Sequence, residues 1–217
     1  MTKLTGPLMS LGASGTIGDT ITFGTWRGIP YARQRVIPAN PNTAGQQLTR
    51  NVFTNLRQMW KLNGTFGRAP WTLFAAGQKF LDLNAYLGQN VKIMRPQPDM
   101  QDFIGSPGAK GGLPMVSAII ATGALSGEID VSCVEPTLPT GWTITRFTAV
   151  GFPDQDPALA FGGPLVEDED LATPFTITLA GFGSAVSVVA AGFLEYVKPN
   201  GDTAYSVGIT GLATSGA

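Results

Sequence analysis

The sequence predicts an α+β amino-terminal region, made of a β-hairpin and a helical hairpin, followed by an all-β sandwich. Three observations carry this reading. Between residues 42 and 63 the apolar side chains recur at helical spacing, and after residue 113 six short stretches have strand length and strand period. Gly and Pro contribute 28 and 16 of the 217 residues. That share excludes a coiled coil or simple helical bundle and favours strands joined by many turns.

The elements follow in order. Gly12 to Gly18 reads Gly-Ala-Ser-Gly-Thr-Ile-Gly, a flexible, turn-rich entry. Thr20-Ile21-Thr22-Phe23 alternates polar and apolar as a strand does, Gly24-Thr25 allows a turn, and Ile29 to Ile37 reads as a second extended segment. Arg33 and Arg35 share a face there, because side chains two apart on a strand point the same way. Pro30 cannot donate a ladder hydrogen bond, which puts this strand on an edge or starts it there. Pro38, Asn40 and Pro41 end it.

Asn42 to Asn63 is the best helix. Thr43-Ala44-Gly45-Gln46 has the form of a capping box. Leu48, Val52, Leu56 and Met59 form the stripe, Phe53 and Trp60 widen it, and Arg50, Arg57 and Lys61 lie off its centre. Asn63-Gly64 closes the helix. Pro70 suits the first turn of a second helix, with Trp71, Phe74, Ala75 and Leu81 on its apolar side and Gly88 as its stop.

Pro96 to Pro114 is rich in Pro and Gly with little periodicity, and the charge balance changes sign there. Residues 1–110 hold twelve basic and four acidic residues, a balance of +8, and residues 111–217 hold two basic and eleven acidic, a balance of −9. The expected organisation is therefore a basic domain at 1–95, a linker at 96–112 and an acidic sandwich at 113–217. Its strands are expected at Met115–Ala121, Glu128–Cys133, Thr143–Gly151, Pro174–Leu179, Ala185–Tyr196 and Thr203–Ile209. Asn200-Gly201 is the strongest hairpin signal, and Trp142 is placed to cover an end of the sandwich.

The composition narrows function. There is no His, which removes the commonest general base and metal ligand and every Ser-His-Asp or Cys-His system. The single Cys133 excludes an internal disulfide and Cys-rich metal sites, and it reads as a small buried strand residue. Glu167-Asp168-Glu169-Asp170 lacks the spaced ligands of a calcium loop and reads as a solvated loop; Asp154 and Asp156 are weighed the same way. A hydrolase built on these carboxylates has no aromatic platform beside it. Gly12 to Gly18 lacks the Lys-Ser/Thr of a phosphate-binding loop. Leu171 to Leu194 carries no charge, yet Pro174, three glycines and a strand period argue against a membrane span. Met1 to Ser14 has no apolar run of signal-peptide length. Asn63-Gly64-Thr65 matches a glycosylation acceptor but means nothing without secretion. The reading is of a non-enzyme without metal or cofactor. The basic residues could track a phosphate backbone, but with no recognised motif direct DNA contact is disfavoured.

At Thr16–Arg35 and Asn40–Trp60 the chain resembles a group of tailed-bacteriophage and prophage virion proteins. In that group a β-hairpin leads through an Asn-Pro-x-Thr-x-x-Gln-Gln turn into a helix carrying Arg and Phe. The matching positions are Asn40, Pro41, Thr43, Gln46, Gln47, Arg50 and Phe53, with Trp60 and Trp71 in keeping. The likeness covers residues 10–95. The carboxy-terminal part looks like a fibronectin-III or immunoglobulin-like module by architecture alone, and fold does not fix function. The resemblance implies a repeated virion component, made in the host cytoplasm, that serves in head decoration or at the neck or tail. It would be a homo-oligomer held to other virion proteins by its basic front end, with Trp26, Arg27, Arg33, Arg35, Arg50 and Arg57 as anchoring residues. The alternative expectation is a receptor- or glycan-binding adhesin module of a phage tail.

Overall fold

The computed structural model describes residues 2–3, 14–37, 39–40, 42–95, 99–108, 119–156 and 159–217. Gly12, Pro38, Pro41 and the residues expected to start the sandwich at 115–118 lie outside them. The chain forms two compact units, Met1–Asn42 and Thr43–Ala217.

The first unit is a four-stranded antiparallel sheet in the order β1-β4-β3-β2, with β1 Thr2–Lys3, β2 Gly15–Ile17, β3 Ile21–Trp26 and β4 Ile29–Gln34. Two expectations are corrected here. Residues 15–17 of the supposed flexible entry are a paired strand. The hairpin turn is at Arg27-Gly28, not Gly24-Thr25. Both turn residues have positive φ, 49° and 78°, which matches the twist of the flanking strands. Gly24 lies inside β3 instead, where a Cβ would sit 2.8 Å from the Tyr31 hydroxyl.

The second unit begins with α1, Ala44–Leu62. The capping box at its start is present: Thr43 Oγ1 accepts the Gln46 amide and Gln46 Oε1 accepts the Thr43 amide, each at 3.4 Å. The expected second helix is two helices, α2 Thr65–Ala75 and α3 Asp82–Met94. Pro70 lies within α2 and not in its first turn. Gly88 does not stop a helix; it lies within α3, because tertiary packing of Tyr86, Leu87 and Asn90 outweighs the roughly 1 kcal/mol that a helical Gly costs.

The remaining strands are β5 Ile119–Gly123, β6 Glu128–Cys133, β7 Thr143–Pro153, β8 Val166–Asp170, β9 Thr176–Ala180, β10 Ser187–Val197, β11 Thr203–Tyr205 and β12 Ile209–Thr214. They form a three-stranded sheet, β5-β6-β9, and a five-stranded sheet, β8-β7-β10, whose far edge is shared by β11 and β12. The Asn200-Gly201 hairpin joins β10 to β11 as expected.

Strand β10 is buried on both sides, and its alternation explains the layering. Val188, Ala190, Leu194 and Tyr196 join Phe147, Ile129, Val131, Ile177 and Leu179 in a core between the two sheets. Val189 and Ala191 point the other way, into a second core with Phe152 and with Val52, Leu56, Met59, Trp71, Tyr86 and Leu87 of the helices. The helices are thus a third layer, laid on the outer face of the five-stranded sheet. The expected boundary between a helical domain and a sandwich does not separate compact units, because both share this core.

The described part of the expected linker, residues 99–108, is a strap between helices and sheet. Met100, Phe103 and Ser106 are buried. Trp71 Nε1 donates to the Gly105 carbonyl at 2.8 Å. Asn90 Oδ1 accepts the Ile104 amide at 2.7 Å, and its Nδ2 donates to the Ile104 carbonyl at 3.2 Å. On the sheet side, Ser106 Oγ donates to the Ser206 carbonyl at 2.6 Å and Thr210 Oγ1 to the Gln101 carbonyl at 2.6 Å. Gly105 is there for close approach: its added Cβ would lie 3.3 Å from the Ala191 Cβ.

The acidic run is not a solvated loop. Residues 166–170 form β8, the edge strand paired to β7, and charge on an edge strand opposes sheet-to-sheet aggregation. Each acid also has a partner. Glu167 Oε2 accepts the Gly67 amide in the first turn of α2 at 2.9 Å, where a carboxylate complements the helix dipole. Gly64 makes room for it, since a Cβ there would overlap the Glu167 carboxylate. Glu169 pairs with Arg146 at 2.5 Å, and the Arg146 guanidinium lies 4.9 Å from the Phe66 ring centre. Asp170 accepts the Ala172 amide on one oxygen at 3.1 Å and the Thr176 amide on the other at 2.9 Å.

The Thr176 amide bond, with those of Ala172 and Leu171, holds the Asp170 carboxyl below the usual range against a smaller opposing effect of burial. Its contribution to stability is therefore present above the unfolded-state value and is lost as pH falls through the folded one. Asp170→Asn keeps one acceptor oxygen and loses the charge. The variant is expected to be less stable than the wild type at neutral pH. The gap should close below about pH 4, as read from melting temperatures across a pH series.

Candidate functional site

The first unit, taken by itself, has the properties of an unfinished structure. None of its described residues from 14 to 37 is buried. Register sorts its side chains into two faces. Ile17, Ile21, Phe23, Pro30 and Ala32 share one, and Thr16, Thr22, Trp26, Ile29, Tyr31 and Arg33 share the other. Both faces carry large apolar groups. Ile17, Ile21, Trp26 and Ile29 are 51%, 44%, 65% and 42% exposed, whereas a single sheet needs another layer against its apolar face to be stable.

The anchoring residues expected from sequence divide between the units. Trp26, Arg27, Arg33 and Arg35 belong to the first. The Arg27 guanidinium lies 5.8 Å from the Trp26 ring centre, and that of Arg33 lies 6.0 Å from Tyr31. Arg35 is ion-paired with Asp19, which sits in the β2–β3 turn with φ of 55°. Arg33 and Arg35 do not share a strand face as expected, because β4 ends at Gln34. Arg50 and Arg57 are exposed on α1 of the second unit; Arg50 lines a shallow hollow there with Thr43, Gln46, Thr49 and Arg95. The unit boundary also redraws the charge map. Residues 1–42 carry four basic residues and one acidic, a balance of +3, and residues 43–217 carry ten basic and fourteen acidic, a balance of −4.

Two adjoining grooves of about 650 and 890 Å³ run between α2 and β11 and share Leu73, Ala76, Thr203 and Tyr205. Their charged lining mixes Lys61, Arg68 and Lys198 with Glu195 and Asp202, so no single sign of ligand is favoured. Cys133 is half-buried in β6, and its thiol is pushed up to about 12, first by burial and then by Glu135 and Asp170. It is a protonated, unreactive thiol at neutral pH. Asp154, which accepts from Gln101 Nε2 at 3.4 Å, has its carboxyl raised by burial and then by Asp99; its partner is the strap, not the acidic strand. Trp142 packs edge-on against Tyr196, centroids 6.4 Å apart, at the sandwich end where it was expected.

Sequence reasoning missed β8 and the two-faced apolar character of the first sheet. The second was readable from Trp26-Arg27-Gly28-Ile29 as a two-residue turn, since that register alone assigns every side chain to a face.

No family model matches the chain, and no curated protein matches it. Among solved structures, a computationally redesigned β-sandwich protein is similar at 15% identity with a TM-score of 0.35, over 49% of this chain and 93% of that one. A fibronectin-III domain of human collagen XX is similar at 14% identity with a TM-score of 0.34, over 50% of this chain and 97% of that one.

Proposed function

We propose that the chain is a structural component of a tailed-bacteriophage particle, in head decoration or at the neck or tail. The first unit attaches it to the particle, and the helix-covered sandwich is the displayed body. The observation that carries this reading is the sheet of residues 14–34: it has apolar groups on both faces and no buried side chain, and the unit it belongs to, residues 1–42, has a balance of +3, so it gains its missing layer from a neighbour. Strand order supports a fibronectin-III-like body. The arrangement β5-β6-β9 against β8-β7-β10-β11/β12 follows the two-sheet order of such modules. The body needs no catalytic step in this role.

The reading moves the anchor. Trp26, Arg27 and Arg33 hold the neighbour, and Arg50 and Arg57 belong to the layer that covers the body. Trp26→Ala combined with Arg33→Glu is expected to reduce incorporation into particles severalfold, as measured by quantitative mass spectrometry of purified virions. Arg57→Glu is expected to leave incorporation unchanged. Incorporation unaffected by the first pair, or absence of the chain from particles, overturns the assignment.

A further inference from the structure

Among the described residues of the second unit, one face of the sandwich carries no layer. The helices cover the outer side of the five-stranded sheet, whereas the outer side of β5-β6-β9 faces outward. Register puts Ile120, Thr122, Glu128, Asp130, Ser132, Thr176, Thr178 and Ala180 on that side, alternating with the buried Ile129, Val131, Ile177 and Leu179. Ile120 is 51% exposed. These three strands contain two acids and no Lys or Arg, so the face is threonine-rich and negative. Thr178 Oγ1 donates to Asp130 at 2.7 Å, which fixes that carboxylate near the centre of the face.

The first unit presents the opposite chemistry on a surface of the same kind. Its aromatic face, with Trp26, Ile29, Tyr31 and Arg33, has Arg27 at the hairpin tip and no acid in either of its long strands. One is a basic sheet face rich in apolar surface, and the other is an acidic sheet face with an apolar edge at Ile120. Sheets pack face to face about 10 Å apart, and complementary charge sets which faces meet and in what register. Like faces repel: two basic faces bring Arg33 against Arg33, and two acidic faces bring Asp130 against Asp130.

We propose that the basic aromatic face of one copy's amino-terminal sheet packs on the acidic face of β5-β6-β9 of a second copy. This deepens the structural-component reading and rests on it. The contact is heterologous, since two different patches meet, and such contacts propagate into rings or filaments, the form a repeated particle component takes.

The test is sedimentation velocity of the full chain over a range of concentrations at low and high salt. Concentration-dependent association that weakens with salt is expected. Arg33→Glu and, separately, Asp130→Lys are each expected to weaken it about tenfold or more, and the chain carrying both is expected to recover most of the loss. Glu128→Lys is a second acidic-face variant, for use if Asp130→Lys lowers the melting temperature through loss of the Thr178 bond. A chain that stays monomeric at every concentration, association indifferent to both acidic-face variants, or a charge swap without recovery overturns the proposal. Monomeric behaviour with normal incorporation into particles overturns this contact alone and leaves the structural assignment standing; loss of incorporation is the separate failure of that assignment.

Discussion

Trp71→Ala is expected to lower the free energy of unfolding by about 3–5 kcal/mol. Trp71 is fully buried. Its ring stands edge-on to Tyr86 with centroids 5.3 Å apart, Tyr86 meets Phe103 at 5.9 Å, and Phe103 meets Phe152 of β7 at 5.1 Å. This line of rings crosses from α2 through α3 and the strap to the sheet, and edge-to-face pairs add to what area burial alone contributes. Removing the first ring opens a cavity that the rigid sheet cannot close, and it also strands the Gly105 carbonyl, which Trp71 Nε1 had satisfied. The measurement is urea unfolding followed by far-ultraviolet circular dichroism. The midpoint should fall with one transition retained, because helices and sandwich share the damaged core. Separate loss of the helices, with the sandwich signal unmoved, would contradict the shared core.

Asn90→Ala is expected to cost about 2–4 kcal/mol, although it removes few atoms. Asn90 is completely buried on α3. Its amide is matched on both sides to the Ile104 backbone and donates in addition to the Tyr86 carbonyl at 3.2 Å. Ala leaves the amide and carbonyl of Ile104 without partners, and each orphaned buried polar group costs about 1–3 kcal/mol. The effect is asymmetric in a useful way. A hydrophobic residue of similar volume, as in Asn90→Leu, fills the space but satisfies neither group, so it should be no better than Ala. Equal stability of Asn90→Leu and wild type in the same urea titration would mean that the strap is held by packing and not by this pairing.

These two residues also show why the sequence was legible only in part. The α1 helix, its capping box, β6 and the β10–β11 hairpin were readable because local chemistry decides them: Thr43 and Gln46 cap within four residues, and Asn200-Gly201 turns within two. The strap was not. Its Gly105, Pro107 and Gly108 have the composition of a flexible linker, yet the two glycines are there because the backbone passes close to Ala191 and Val207. Close approach and flexibility draw on the same residue types, and only the partner tells them apart. The run Glu167–Asp170 misled for a related reason. An edge strand has one free side and can carry charge, so acidic residues mark a strand there as readily as a loop. Of the anchoring residues expected from sequence, Trp26, Arg27 and Arg33 gather on or beside one face of a small sheet. Arg50 and Arg57 belong to the other unit, because the chain divides at Asn42/Thr43.

Native-state hydrogen exchange tests the central claim most directly: that helices, strap and sandwich are one cooperative unit and that the first sheet stands outside it. The amides of Met59 in α1, Ile104 in the strap and Val189 in β10 should open with a common free energy close to that of global unfolding, and those of Phe23 and Ala32 should open at a much lower one. Exchange of the α1–α3 amides as a group at a free energy well below that of β10 would make the helices a separate domain. That result would return the anchoring role to the basic helices.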